Sequence, residues 1–172
     1  MPSNVPTFDD LLSSAKRSAV HLEMRDIYYS NPRFEAWQEG HRVDWNDRDS
    51  WWRPFHQSIA DAVARGVTVR RARVISEPVT EYIRWEHYVT HANVTAGEQV
   101  RWVPRRLASD LLLPGNDFWV FDDTTVRIHH FSGGGDFIQD EFLDEPRLVE
   151  LCASGFERVW DRAIPHEQFE IH

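Results

Sequence analysis

Between residues 67 and 104 the chain reads VTVRRARVIS, then a segment around EYIRWEHYV, then QVRWVP. No other stretch limits the fold as much. The first run is rich in β-branched residues and has apolar side chains on both faces, as a strand inside a sheet would. Pro78 begins the middle segment, Tyr82, Trp85 and Val89 share one helical face, and Gly97 closes it. A strand, a helix and a strand in direct succession form a βαβ unit, which is right-handed and sets its two strands parallel. The spacing therefore predicts an α/β protein with helices packed on a sheet.

The flanking segments extend that sheet. Thr7 is placed to cap a short helix, with Asp9 and Asp10 where the helix dipole favours them and Leu11, Leu12 and Ala15 as the apolar face. In AVHLEMR, Val20, Leu22 and Met24 alternate with His21, Glu23 and Arg25, the period of a half-buried strand. Asn31 and Pro32 open a helix carrying Phe34 and Trp37, closed by Gly40. HRVDWNDRDS is polar and loop-like. Asp49 or Ser50 is positioned to cap WWRPFHQSIADAVARG, where Trp52, Phe55, Ile59 and Val63 fall at helical spacing, Gly66 is the stop, and Pro54 fits only in the first turn. Downstream, DFWVF and TVRIHHF flank Asp-Asp-Thr-Thr as a β-hairpin without the favoured Asn-Gly. The glycines of SGGG supply positive φ in the next turn, and DFIQDEF adds a strand. Asp144 caps the last helix, Leu148, Val149, Cys152, Phe156, Val159, Trp160 and Ala163 make one stripe along it, and Pro165 blocks its extension. The expectation is one α/β domain over residues 1–172: a mixed sheet with a βαβ unit, a β-hairpin and a C-terminal helix.

Composition narrows the functional classes. Eight Trp and ten Phe point to an aromatic core. The net charge of −9 argues against a general nucleic-acid coat, since duplex binding leans on phosphate neutralisation. Cys152 is the only cysteine, so neither an intramolecular disulfide nor a thiolate zinc site is within reach of one chain. MPSNVPTFDDLL lacks the features of a secretory signal, and no run of ~18 apolar residues is present. The expectation is a soluble, cytoplasmic protein without membrane contact.

Ligands of open α/β sheets bind beyond the carboxyl ends of the parallel strands. The first parallel strand ends near Arg73 and the second at Pro104, Arg105 and Arg106, so three guanidiniums suited to phosphate or carboxylate converge if the strands are neighbours. The plainer alternative is pairing with surface acids. Glu77, Tyr82, Arg84, Glu86 and His87 follow the first strand and reach the same edge, though a solvated helix face accounts for them too. His129 and His130 are strand neighbours on opposite faces, so at most one enters a given site, and no third partner at readable spacing supports a metal. His21, Glu23 and Arg25 share one strand face, readable as an acid/base trio or as a solvated charged face. Cys152 reads as a small core residue. No Gly-x-Gly-x-x-Gly or Walker pattern calls for a nucleotide loop, and no cofactor is expected.

Several longer stretches carry a resemblance. ARGVTVRRARVISEPVTEYIRWEHYVT, AGEQVRWVPR, LPGNDFWVFDD and FERVWDRAIPHEQF resemble an uncharacterised actinobacterial family known as a domain of unknown function. Some of its members are associated with helix-turn-helix regulators, which the resemblance implies as a partner. The order of elements, closing with DEPRLVELCASGFERVW, also resembles the phospholipase D-like fold. That superfamily's chemistry depends on His-x-Lys-(x4)-Asp, in which the His attacks phosphorus, the Lys holds the phosphate and the Asp supports the site. Asp122 matches the Asp, but the Lys position falls on Asp117 and the His position on Gly115; a register on Asp123 gives Phe118 and Asn116. Asp117 would repel a phosphate. The resemblance implies the fold without its phosphotransfer apparatus.

The reading that follows is a non-catalytic regulatory domain that binds a small anionic ligand or a protein partner. Arg73, Arg105 and Arg106 would hold the anion, Tyr82 or Trp85 would stack on an apolar part, and Glu77 and Asp122 would complete the edge. The alternative is a diverged hydrolase or transferase acting on a phosphorylated or carboxylated metabolite through Asp122, His129 or His130, Glu77 and the arginines. A third is a purely structural interaction module. The chain offers no convincing DNA-reading helix, so no direct nucleic-acid contact is expected.

Overall fold

The computed structural model of the chain describes residues 5–28 and 31–172. Its strands are β1 (Ser18–Glu23), β2 (Thr68–Ile75), β3 (Gln99–Pro104), β4 (Phe118–Phe121), β5 (Thr125–Phe131), β6 (Phe137–Leu143) and β7 (Ile164–Pro165). Its α-helices are α1 (Phe8–Ser14), α2 (Pro32–Gln38), α3 (Arg48–Trp51), α4 (Pro54–Ala64), α5 (Glu81–Thr95) and α6 (Pro146–Arg162). The strands form one sheet in the order β6-β5-β4-β1-β2-β3-β7. β1, β2 and β3 run parallel, and β4, β5, β6 and β7 join antiparallel. β2-α5-β3 is the expected βαβ unit, with Arg73 level with Trp102 across the pair.

One face of the sheet packs on α6. Val20 and Leu22 of β1, Ala72 and Val74 of β2, Phe118 and Val120 of β4 and Val126 of β5 meet Val149, Cys152, Phe156, Val159 and Trp160 in one apolar core. Burial of side chains this size contributes roughly 1.5–3 kcal/mol each. Burial also pushes the Cys152 thiol up to about 11, so it behaves as a small apolar residue.

The opposite face is divided. Near one end Leu12, Ala19, Ile59, Val69 and Trp119 form a core under α1 and α4. Near the other Ile75, Tyr82, Trp85 and Trp102 form a second core under α2 and α5. Between them the same face presents His21 and Glu23 of β1 and Arg71 and Arg73 of β2, all buried. The half-buried period read in AVHLEMR is therefore corrected: β1 is interior, with neighbours on both edges, and His21 and Glu23 on its polar side are buried. β2 is interior with apolar side chains on both faces, as its sequence predicts, Ala72 and Val74 on one and Val69 and Ile75 on the other; Arg71 and Arg73 lie between the latter two.

Boundaries shift where a cap outcompetes a proline or an aspartate. α5 begins after Thr80, whose hydroxyl accepts from Ile83 N at 3.1 Å, and not at Pro78. Glu145, not Asp144, caps α6, accepting from Arg147 N and Leu148 N. The loop before α4 contains the short α3, which ends before Pro54 takes the first position of α4. Of the SGGG glycines only Gly135 has positive φ, at +95°.

Candidate ligand-binding cleft

The register of the sheet lines up polar side chains across five strands. Arg127, Trp119, His21 and Arg71 form one row, and Asp140, His129, Asp117, Glu23 and Arg73 lie along the next. Strand side chains alternate in direction, so residues level with one another on neighbouring strands share a face. Glu23 joins the two arginines: Oε1 accepts from Arg71 Nη1 at 2.6 Å and Oε2 from Arg73 Nε at 2.6 Å. Arg71 Nε also donates to Glu98 at 2.7 Å, and Arg73 Nη1 to the Thr90 hydroxyl at 2.5 Å. Burial opposes the charge of Glu23, yet Arg71 and Arg73 outweigh it and hold the carboxyl below its usual range.

Neighbouring acids lack such compensation. Burial raises Glu86 to about 7 against the opposing pull of Arg73, whose Nε lies 3.7 Å away. Burial likewise raises Asp117 to about 6, although it accepts from Tyr28 OH and from Met24 N at 2.8 Å. His21 stacks on Trp119 at 4.3 Å between centroids, and its burial drives its pKa well down, so it is neutral. His129 is held by Asp140, with Nδ1 at 2.5 Å from Oδ1, and burial lowers its pKa too.

Beside this network lies a cleft of about 510 Å³, within the range of small-molecule sites. Arg33, Arg53, Arg71, Arg73 and Arg127 reach its walls, as do His21, His56 and His129; among the described residues Glu86 is the one carboxylate there. Two of the arginines are incompletely used. Arg127 pairs through Nη2 with Asp140, but its Nε and Nη1 are buried without an acceptor among the described residues. Arg53 has no ion pair among the described residues, and burial lowers its pKa.

The residues singled out in the sequence are distributed unevenly around this cleft. Arg73, Tyr82 and Trp85 line it. Arg105 does not: it folds over the carboxyl ends of β1 and β2, donating to Met24 O at 2.6 Å, Val74 O at 3.1 Å and the Ser76 hydroxyl at 3.0 Å. Arg106 is exposed, 3.3 Å from Glu77. Asp122 sits in the β4–β5 turn, where its carboxylate accepts from Lys16 N, Arg17 N and Ser18 N. The three arginines therefore share no partner and do not converge. The solvated-face readings of His21, Glu23 and Glu86 are corrected, since all three are buried; His130 points away from His129 and meets Glu141. Arg53, Arg71, Arg127 and Asp140 were missed. A signal for part of this was present: Arg71 and Arg73 two apart on one strand match His21 and Glu23 two apart on another, charges that complement each other once the strands pair.

A parallel three-strand centre extended by an antiparallel hairpin, with α6 covering one face and a polar cleft on the other, defines an α/β protein of phospholipase D-like fold. It is similar to the crystal structure of Nuc from Salmonella typhimurium, a phospholipase D family member, with a TM-score of 0.50 and 14% identity over 91% of this chain and 86% of that one. TrmBL2, an archaeal chromatin protein, aligns at a TM-score of 0.48 and 12% identity over 91% of this chain and 48% of its own. The chain belongs to the family described as Domain of unknown function (DUF6879), which matches residues 6–170. No curated protein matches the sequence.

Proposed function

We propose that this protein is a non-catalytic binding domain for a small anion, and that the anion enters the cleft between the divided cores. The observation that carries the reading is the pair of incompletely used arginines, Arg53 and Arg127, on the cleft wall. At Arg127, a buried donor without an acceptor costs about 1–3 kcal/mol, which a bound anion removes. Arg71 and Arg73, already matched by Glu23 and Glu98, shape the floor and leave the ligand to the other two. This places the anion away from the Arg105–Arg106 edge, where the donors of Arg105 are engaged by main-chain carbonyls. Occupancy would then be passed to a protein partner, for which the sequence resemblance suggests a helix-turn-helix regulator.

A second reading draws on His129. An imidazole held through Nδ1 by a carboxylate, on the wall of a cleft, is arranged to act as a base. It supports a diverged hydrolase of phosphorylated metabolites.

One experiment separates these. Thermal shift and calorimetry with inorganic phosphate, sulfate and small carboxylates are expected to show binding, with a rise in Tm of roughly 4 °C at ten times the Kd. Arg53→Ala and Arg127→Gln should abolish the shift, while Arg106→Ala should keep it. A shift that survives in both cleft variants, or is lost in Arg106→Ala, overturns the assignment. Hydrolysis of a chromogenic phosphoester that disappears in His129→Asn would favour the second reading.

A further inference from the structure

A second cavity of about 480 Å³ adjoins the cleft, bounded by α2, the 39–47 segment, α3 and α5. Its walls are aromatic: Trp37, Trp45, Trp51, Trp85 and Tyr88 all line it. Trp45 is the centre of the group, with its ring centroid 5.3 Å from Trp51 and 5.5 Å from Tyr88. Arg33, Arg53, His56, Trp85, Val89 and Asn93 border both cavities, so one molecule can lie across the pair.

Two features give the combined site a direction. The carboxylates of Asp44 and Asp47 stand in the aromatic lobe and disfavour an anion there, and Arg33 and Arg53 reach it only at the border the two cavities share; among the described residues the other lobe adds Arg71, Arg73 and Arg127 against Glu86 alone. The Nε1 of Trp51 is buried without an acceptor among the described residues, so the aromatic lobe calls for a group that is flat and also accepts a hydrogen bond. Arg42, the arginine of that lobe that does not border the other cavity, is already spent on Trp37 O and His41 O at 2.8 Å each and lies over the Trp37 ring.

Resting on the anion-binding reading above, we propose that the ligand is a planar heteroaromatic compound bearing an anionic group, of the nucleoside monophosphate class. Its ring occupies the tryptophan lobe and accepts from Trp51 Nε1, and its phosphate meets Arg53 and Arg127. Stacking on indole tolerates different bases because each has a π-face, so selectivity among bases is weak and the Trp51 contact supplies most of it.

The test is isothermal titration with AMP, GMP and UMP, set against inorganic phosphate, glucose 6-phosphate and adenosine. At least one nucleotide is expected to bind tenfold more tightly than phosphate, glucose 6-phosphate and adenosine. Trp51→Phe keeps the ring and removes the donor; it should weaken that nucleotide at least fivefold and leave phosphate unchanged, with near-ultraviolet dichroism reporting the fold. Arg53→Ala should weaken both. Glucose 6-phosphate binding as well as the nucleotides, or a Trp51→Phe protein that binds them normally, overturns the heteroaromatic assignment and leaves the anion site standing. Adenosine binding as tightly as AMP, with Arg53→Ala silent, overturns the anion site. Failure of every probe to bind overturns both.

Discussion

The carboxylate of Asp122 accepts three main-chain N–H groups, from Lys16, Arg17 and Ser18, at 2.7 to 2.9 Å. Its partial burial favours the neutral acid, but these bonds outweigh burial and lower its pKa. Asp122 is thus a tie between the β4–β5 turn and the segment entering β1. Asp122→Ala is expected to cost about 2–3 kcal/mol in urea unfolding, because hydrogen bonds to a charged group are the stronger kind and alanine adopts the left-handed backbone at φ 52° less readily than aspartate. Asp122→Asn should recover part of that loss, since it keeps an acceptor and tolerates the left-handed region. Arg105 has a similar history. Its type and place at the strand ends were legible in the sequence, but its engagement with Met24 O and Val74 O was not, because main-chain acceptors leave no trace in residue identity.

The β4–β5 hairpin shows how an element can form without its favoured turn sequence. Asp122 and Asp123 both have positive φ, 52° and 54°, and Thr124 N donates to Phe121 O at 3.0 Å, the pattern of a type I′ turn. Strand pairing on both sides holds the conformation that Asn-Gly would supply at lower cost. The exposed Asp123 makes no tie like that of Asp122, so Asp123→Gly is expected to stabilise the protein by about 0.5–1 kcal/mol, read as a higher urea midpoint at unchanged slope. Elements whose signals are local were legible: the Thr7 cap, the Asn31-Pro32 start of α2 and the stripe of α6 all stand where the sequence put them. The polar side of β1 was misread because periodicity reports which side chains are polar and says nothing of what covers them.

Across the whole molecule, the charged network separates the two apolar cores on one side of the sheet, and its cost is readable in pH. Burial moves Glu86 from 4.5 to about 7. An acid raised on folding binds its proton more tightly in the native state, so stability falls as pH rises from about 4.5 to about 7 and stays reduced above that. Glu86→Gln removes the titration. Calorimetry should find its Tm close to that of the parent near pH 4.5 and roughly 5 °C above it near pH 8. The sequence by itself determined the βαβ unit, the hairpin and the closing helix, because each rests on residues within one segment. Only the tertiary structure decided where the cleft lies. Arg53, Arg71, Arg127, Glu23 and Asp140 come from four strands and the N-terminal end of a helix. They meet only through sheet order and register, which are set by packing over the entire chain.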